Sequence, residues 1–169
     1  MECEVTTYYL EMKNPGFLIP KRLEIHDFEI KKAKIPLPEL NRFFYISVGY
    51  NWYWNDRLEW TYQQWQEWVD RPELRTWVAY LSGTPIGYFE LEAQSNGDVE
   101  IAYFGLLPRF IGKGLGGYFL TVAIENAWKM NASRVWVHTC TLDHPVALAN
   151  YLARGFQIFK EQTQKKIVP

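Results

Sequence analysis

The segment Leu107-Pro-Arg-Phe-Ile-Gly-Lys-Gly-Leu-Gly-Gly117 constrains the fold of this chain more than any other stretch. An extended apolar run, Val99 to Leu107, leads into it, and a helix-like run, Leu115 to Met130, leaves it. Glycines at 112, 114, 116 and 117 let the backbone turn tightly and leave N–H groups bare. The helix that follows adds unpaired amides and the positive end of its dipole, and Arg109 and Lys113 add charge. Such a junction suits a phosphate ligand. It also dictates topology, because a helix leaving one strand crosses over to a strand parallel to the first, here Arg134 to Thr139.

Several readings of the glycines compete. Gly112, Gly114 and Gly117 satisfy G-x-G-x-x-G, the dinucleotide fingerprint. That pattern needs the glycines directly after the strand and an acidic residue about 20 positions on. Pro108 to Ile111 intervene here, and the Arg134 to Thr139 run ends without Asp or Glu. A P-loop is excluded because Gly112-Lys113 is followed by Gly rather than Ser or Thr. A loop that is only a structural turn stays open at this point. The same residues also read Arg-x-x-Gly-x-Gly, from Arg109 through Gly114.

Pro-Arg-x-x-Gly-x-Gly-x-Gly, after a strand and opening a helix, resembles the acyl-CoA pyrophosphate loop of the GNAT superfamily of N-acetyltransferases. A second match lies in Asp143-His-Pro-Val-Ala-Leu-Ala-Asn-Tyr-Leu-Ala-Arg-Gly-Phe156. It is similar to the family pattern Asn-x-x-Ala-x-x-x-Tyr-x-x-x-Gly-Phe, with Ala147, Tyr151, Gly155 and Phe156 in register and His144 where Asn is usual. The likeness covers about the last hundred residues well and the first sixty only by length and position.

What the resemblance implies is specific. It implies an α+β fold of three-layer character: a mixed, mostly antiparallel sheet with a splayed parallel strand pair and helices on both faces. It implies one domain over residues 1–169, with an acceptor-side region at 1–70 and an acyl-CoA-binding core at 71–169. Acetyl-CoA would be the co-substrate, with no metal. Backbone groups of Phe104, Leu106 and Leu107 would pair with the pantetheine arm, one N–H polarising the thioester carbonyl. Ile111, Gly112, Lys113, Gly114, Leu115 and Gly116 would cradle the pyrophosphate with Arg109 nearby, and Asn150 would join the cofactor site. Tyr151 matches the general-acid position, and a phenol suits a departing thiolate. Glu100, early on the strand before the loop, stands where several such enzymes carry a catalytic Glu.

The residues themselves add to this. An amine with a pKa near 10 is mostly protonated at neutral pH, so a carboxylate such as Glu100 could relieve it. Strict alternation would put Glu100, Ala102 and Phe104 on one face, Ile101 and Tyr103 on the other, and Glu90 with Glu92 on the adjacent strand. His138, Cys140 and Asp143 allow a Cys-His nucleophile in principle, but no activating context accompanies them. With His144 they lack zinc-motif spacing.

Five of the eight tryptophans lie between Tyr45 and Trp68. In Gly49 to Trp60, Trp52 and Trp54 share a side if the piece is extended, with Asp56 and Arg57 at its end. Tryptophan faces could surround a cation or an aromatic ring and Asp56 could hold an ammonium; burial in the core is the alternative. These four residues are the candidate acceptor site, and a Trp-lined pocket favours a small amine or amino-acid-like acceptor.

Net charge is −1, with both signs interspersed, which argues against tracking a nucleic-acid backbone; Lys31-Lys32-Ala-Lys34 reads as a solvated patch. No apolar run reaches transmembrane length, no signal-peptide layout opens the chain, and two cysteines make no disulfide framework, so a cytoplasmic protein without membrane partners is expected. An exposed strand edge or the Trp-rich segment could support a homodimer.

Glu4 to Leu10 reads as a strand, Pro20 to Lys34 has no clear reading, and Leu40 to Ser47 begins a helix. Thr61 caps a helix to Val69. Thr76 to Leu81, Ile86 to Ala93 and Val99 to Leu107 form a three-stranded meander turned at Ser82-Gly83 and Asn96-Gly97. Asp143 or His144 caps a last helix with Pro145 at its first position, Gly155 ends it, and Phe156 to Val168 is the final strand. The expected activity is acetyl transfer from acetyl-CoA to a primary amine, the alternative being a non-catalytic acyl-CoA-binding sensor of the same fold.

Overall fold

Ser82 and Gly83 have φ of 49° and 75°, and Asn96 and Gly97 have 67° and 79°. Paired positive φ values give the tight turns whose twist matches antiparallel strands, so these dipeptides set the register of the central meander. The computed structural model describes residues 1–169. In chain order its elements are β1 (Glu2–Met12), β2 (Phe28–Lys32), α1 (Pro38–Gly49), α2 (Tyr62–Val69), β3 (Leu74–Leu81), β4 (Thr84–Ala93), β5 (Asp98–Leu106), α3 (Gly116–Trp128), β6 (Arg134–Cys140), α4 (Ala147–Ala153) and β7 (Gln157–Ile167).

The strands form one sheet of seven in the order β2-β3-β4-β5-β6-β1-β7. All neighbours are antiparallel except β5 and β6, which pair in parallel only at Asp98↔Arg134, Val99↔Val135 and Glu100↔Trp136. The meander has four strands rather than three, because β2 emerges from the segment without a clear sequence reading and pairs with β3. β1 inserts between β6 and β7, a long-range placement that local pattern does not announce.

Adjacent strand residues point to opposite faces, so Ala79 and Phe89 join one core while their neighbours Val78 and Tyr88 join another. On the first face α3 buries Phe119, Leu120, Ala123 and Ile124 against Leu10, Ile86, Leu91, Ile101 and Val135. Phe119 has no exposed surface and packs on Phe89 and Phe104 at ring separations of 5.4 and 5.0 Å. Burial of one such ring stabilises by about 2–3 kcal/mol. On the second face α1 lays Phe44 and Val48 on Val78 and Tyr88. The result is a mixed, mostly antiparallel sheet with helices on both faces.

Helix starts follow local chemistry, with one correction. Thr61 and Gln64 form a reciprocal capping box on α2, and Pro38 opens α1. α4, however, begins at Ala147 rather than at Pro145. The Asp143 carboxylate is drawn away from any cap by Trp54 Nε1 at 3.0 Å and Thr139 Oγ1 at 2.6 Å, while His144 Nδ1 accepts the Val146 N–H at 3.1 Å.

Strict alternation on β5 is also overturned. The pairing slips between Glu90↔Tyr103 and Leu91↔Ile101, leaving Ala102 as an extra residue in a bulge. Facing therefore inverts beyond Ala102. Phe104 turns to α3 with Ile101, whereas Tyr103 turns to the α1 side, the side of Glu90, Glu92 and Glu100.

Candidate active site

Beyond Glu100↔Trp136 the two parallel strands separate, and a cavity of about 370 Å³ fills the opening. Its walls are the bulged half of β5, from Ile101 to Leu106, and the end of β6, from Val137 to Cys140. α4 and the loop before it close a third side with Leu142, Asp143, His144, Asn150 and Tyr151. Trp52, Tyr53, Trp54 and Asp56 close a fourth.

At the glycine loop, Pro108–Phe110 forms a short 3₁₀ turn, and Gly112 and Gly114 each have φ of +79°. A Cβ added at either would meet nothing within 4 Å, and at Gly116 it would meet only Asn150 Nδ2 at 3.7 Å. The first turn of α3 thus presents open backbone, which fits a phosphate group. Arg109 and Lys113 are exposed beside it. Asn150 Nδ2 donates to the Gly116 carbonyl at 3.2 Å and ties α4 to this turn.

Of the other residues proposed to hold the cofactor, Phe104, Leu106, Ile111, Gly116 and Asn150 line the cavity. Leu115 does not offer a side chain, since it is buried in the α3 core. The Leu107 amide is spent within the sheet, donating to the Ile86 carbonyl at 2.8 Å. Amides alternate along a strand, so the Leu106 and Phe104 N–H groups face the opening instead.

Tyr151 lies in the cavity wall with its ring against Phe104 and Phe156. Burial pushes its phenol well above the ordinary tyrosine range, the Asp143 carboxylate adding a lesser push, so the group stays protonated throughout neutral pH. Burial likewise raises the Cys140 thiol, which disfavours a thiolate nucleophile.

Glu100 is not in the cavity lining. Its Oε2 accepts from Gln94 Nε2 at 2.9 Å and its Oε1 faces His138 Nδ1 at 3.4 Å. His138 does line the cavity, stacked on Trp136 and in a tilted contact with Tyr9. Contact with Glu100 raises its pKa against the opposing effect of burial.

The four candidate acceptor residues divide. Trp52, Trp54 and Asp56 border the cavity; Arg57 does not. The piece is not extended: Tyr50–Trp52 is a 3₁₀ turn and Tyr53 has φ of 57°. Trp54 Nε1 holds Asp143, its ring packs on Tyr45 and Tyr103, and Gly49 leaves room for it. Trp52 packs edge-on to His144 at 4.9 Å. Asp56 is exposed and unpaired.

The cation that the other tryptophans surround is the chain's own Arg57. Its guanidinium sits 4.3 Å from Trp68, 4.4 Å from Tyr103 and 4.8 Å from Trp60, and donates to the buried Glu90 at 2.9 Å. Sequence reading also missed a polar wall formed by Thr7 and Tyr9 of β1 with Gln162, Gln164 and Lys166 of β7. Their i, i+2 spacing marks a shared face, yet only the insertion of β1 brings that face to the cavity.

The acetyltransferase (GNAT) family model matches residues 38–156. The chain belongs to this family. Solved GNAT structures carry the same fold: a GCN5-related N-acetyltransferase from Sphaerobacter thermophilus has a TM-score of 0.72 at 12% identity, covering 96% of this chain and 51% of its own. One from Kribbella flavida has a TM-score of 0.67 at 16% identity, covering 97% of this chain and 58% of its own. The chain therefore spans little more than half the length of these two structures. An IAA acetyltransferase from Bacillus cereus is 26% identical over 79% of each chain, with a TM-score of 0.58. No curated protein matches. GNAT proteins generally use acetyl-CoA, and the open glycine turn fits its phosphates; the described residues contain no cluster of metal-ligating side chains, and no helix is long and apolar enough to cross a membrane.

Proposed function

We propose that the protein transfers an acetyl group from acetyl-CoA to a primary amine of a small, amino-acid-like acceptor. The observation that carries this reading is one cavity, bordered at Gly116 by open helix-start backbone and elsewhere by Trp52, Asp56 and His138, with Tyr151 in its wall. The turn from Ile111 to Gly116, with Arg109 and Lys113, would hold the pyrophosphate. Acetyl-CoA supplies an activated acyl thioester. The Phe104 and Leu106 amides donate to the pantetheine arm and the thioester oxygen. Tyr151 gives a proton to the departing sulfur, a role its raised pKa favours across neutral pH. Asp56 draws the acceptor ammonium to the rim, Trp52 and Trp54 bound its size, and Glu100 supplies negative charge behind the amine. Two unpaired cysteines suit a reducing, cytoplasmic setting.

Calorimetric titration with acetyl-CoA, followed by a panel of amines and amino acids, tests this. Tyr151→Phe should keep acetyl-CoA affinity while kcat falls about 10²-fold or more. Acetyl-CoA binding without turnover of any amine would favour a sensor; no binding would reject the reading.

A further inference from the structure

We propose that His138, held by Glu100, is the group that takes the proton from the acceptor amine. This rests on the N-acetyltransferase reading above. Among the acidic and basic groups near the opening, Asp56 is an exposed carboxylate at the rim, and Asp143, His144 and Glu100 are already engaged. Asp143 has one oxygen on Trp54 and the other on Thr139. His144 spends its Nδ1 on the Val146 amide and packs its ring on Trp52. Glu100 has its two oxygens turned to Gln94 and His138 and does not line the cavity.

His138 is different. It stands two residues beyond the last parallel pair, Glu100↔Trp136, where β6 first leaves β5. Its side chain is 46% exposed while that of Glu100 is 12% exposed, so the imidazole reaches the cavity and the carboxylate stays behind it. With Nδ1 facing Glu100, a neutral His138 carries its proton on Nδ1 and turns the Nε2 lone pair outward. Gln94 fixes the arrangement: its Nε2 donates to both Glu92 and Glu100, and its Oε1 accepts from Trp136 Nε1 at 2.9 Å. Tyr9, the cross-strand partner of His138 on β1, packs on the ring in a tilted contact at 5.8 Å. Glu100 on β5, Asp143 after β6 and Asp56 from the α1–α2 connection all bias the imidazole toward its charged form. Lys160 sits over the far side of the arrangement, on the Tyr9 ring.

The proton balance is complete without another reagent. The acceptor ammonium gives one proton to His138 Nε2, which releases it to solvent. The freed nitrogen pair forms the C–N bond as the C–S bond breaks, and the sulfur pair takes a proton from Tyr151. The second amine proton restores Tyr151. His138 is thus the catalytic base and Glu100 a positioning residue.

The test is the pH dependence of kcat/KM for the acceptor in wild type, His138→Gln and Glu100→Gln, with acetyl-CoA affinity measured for each as a check on folding. Wild-type kcat/KM should rise with pH through one group. His138→Gln should lose about 10²–10⁴-fold near neutral pH and lose that rising limb. Glu100→Gln should keep the limb but move its midpoint to lower pH, because the partner that favours charged imidazole is gone. NMR titration of His138 in the unmodified protein should give the same midpoint. A His138→Gln enzyme with an unchanged profile, or an Nδ1-deprotonated neutral imidazole in the NMR spectrum, would overturn the assignment while leaving the acetyltransferase standing. Acetyl-CoA binding with no amine acetylated by the wild type would overturn both.

Discussion

Replacing Arg57 by Met removes the cation at the centre of the tryptophan cluster while keeping most of its length. Glu90 has no exposed surface and Arg57 is 6% exposed, so the ion pair is screened little by water. After the substitution the Glu90 charge keeps two donors, Asn41 Nδ2 at 2.7 Å and Trp68 Nε1 at 3.0 Å. It loses the only positive charge that touches it. Breaking a buried pair from one side costs about 3–5 kcal/mol. The two surviving hydrogen bonds keep the cost inside that range, while the lost guanidinium contacts with Trp68, Tyr103 and Trp60 keep it from the lower end. A loss of about 4 kcal/mol corresponds to a fall in Tm of roughly 8–16 °C for a chain of this size. Urea denaturation followed by tryptophan fluorescence gives ΔG, and calorimetry gives Tm. Adding Glu90→Gln should recover at least about 1 kcal/mol, since the amide oxygen still accepts from Asn41 or Trp68 and no charge remains buried. A single-variant loss under about 1 kcal/mol, or a double variant as unstable as the sum of both singles, would refute the reasoning.

Gly116→Val should leave Tm nearly unchanged, because the added Cβ meets only Asn150, yet weaken acetyl-CoA binding about tenfold or more by calorimetry. Gly155→Ala should destabilise by about 2 kcal/mol or more in urea, since Gly155 has φ of +106° and its Cβ would overlap the Phe17 carbonyl oxygen. The His138–Glu100 contact gives a signed pH effect. The folded-state pKa of His138 is raised, so the contact adds stability that is full below the unfolded value near 6.5 and fades as pH rises through the folded value. Calorimetric Tm of wild type minus that of His138→Gln should shrink across that window; a constant difference would contradict the contact.

The chemistry-bearing core of the fold was written locally. Strand, short turn, four glycines and helix in that order force a crossover, Ser82-Gly83 and Asn96-Gly97 force hairpins, and the Ala147–Phe156 pattern places Tyr151 on a helix ended by Gly155. These features depend on φ preferences and periodicity, which neighbouring residues settle among themselves.

Other features depended on contacts between distant parts of the chain. A single extra residue at Ala102 reverses the facing of β5, and only its pairing with Glu90 and Leu91 reveals it. Arg57, beside the exposed Asp56, turns inward because Glu90 lies on the α1 face of the sheet with no other cation to neutralise it. β1 carries Thr7 and Tyr9 to the cavity because two strands far along the chain, β6 and β7, leave it a slot. Sequence by itself determined where an open glycine turn at a helix start and a phenol would sit; tertiary structure decided which charges face the opening, because burial and ion pairing are settled between residues far apart in the chain.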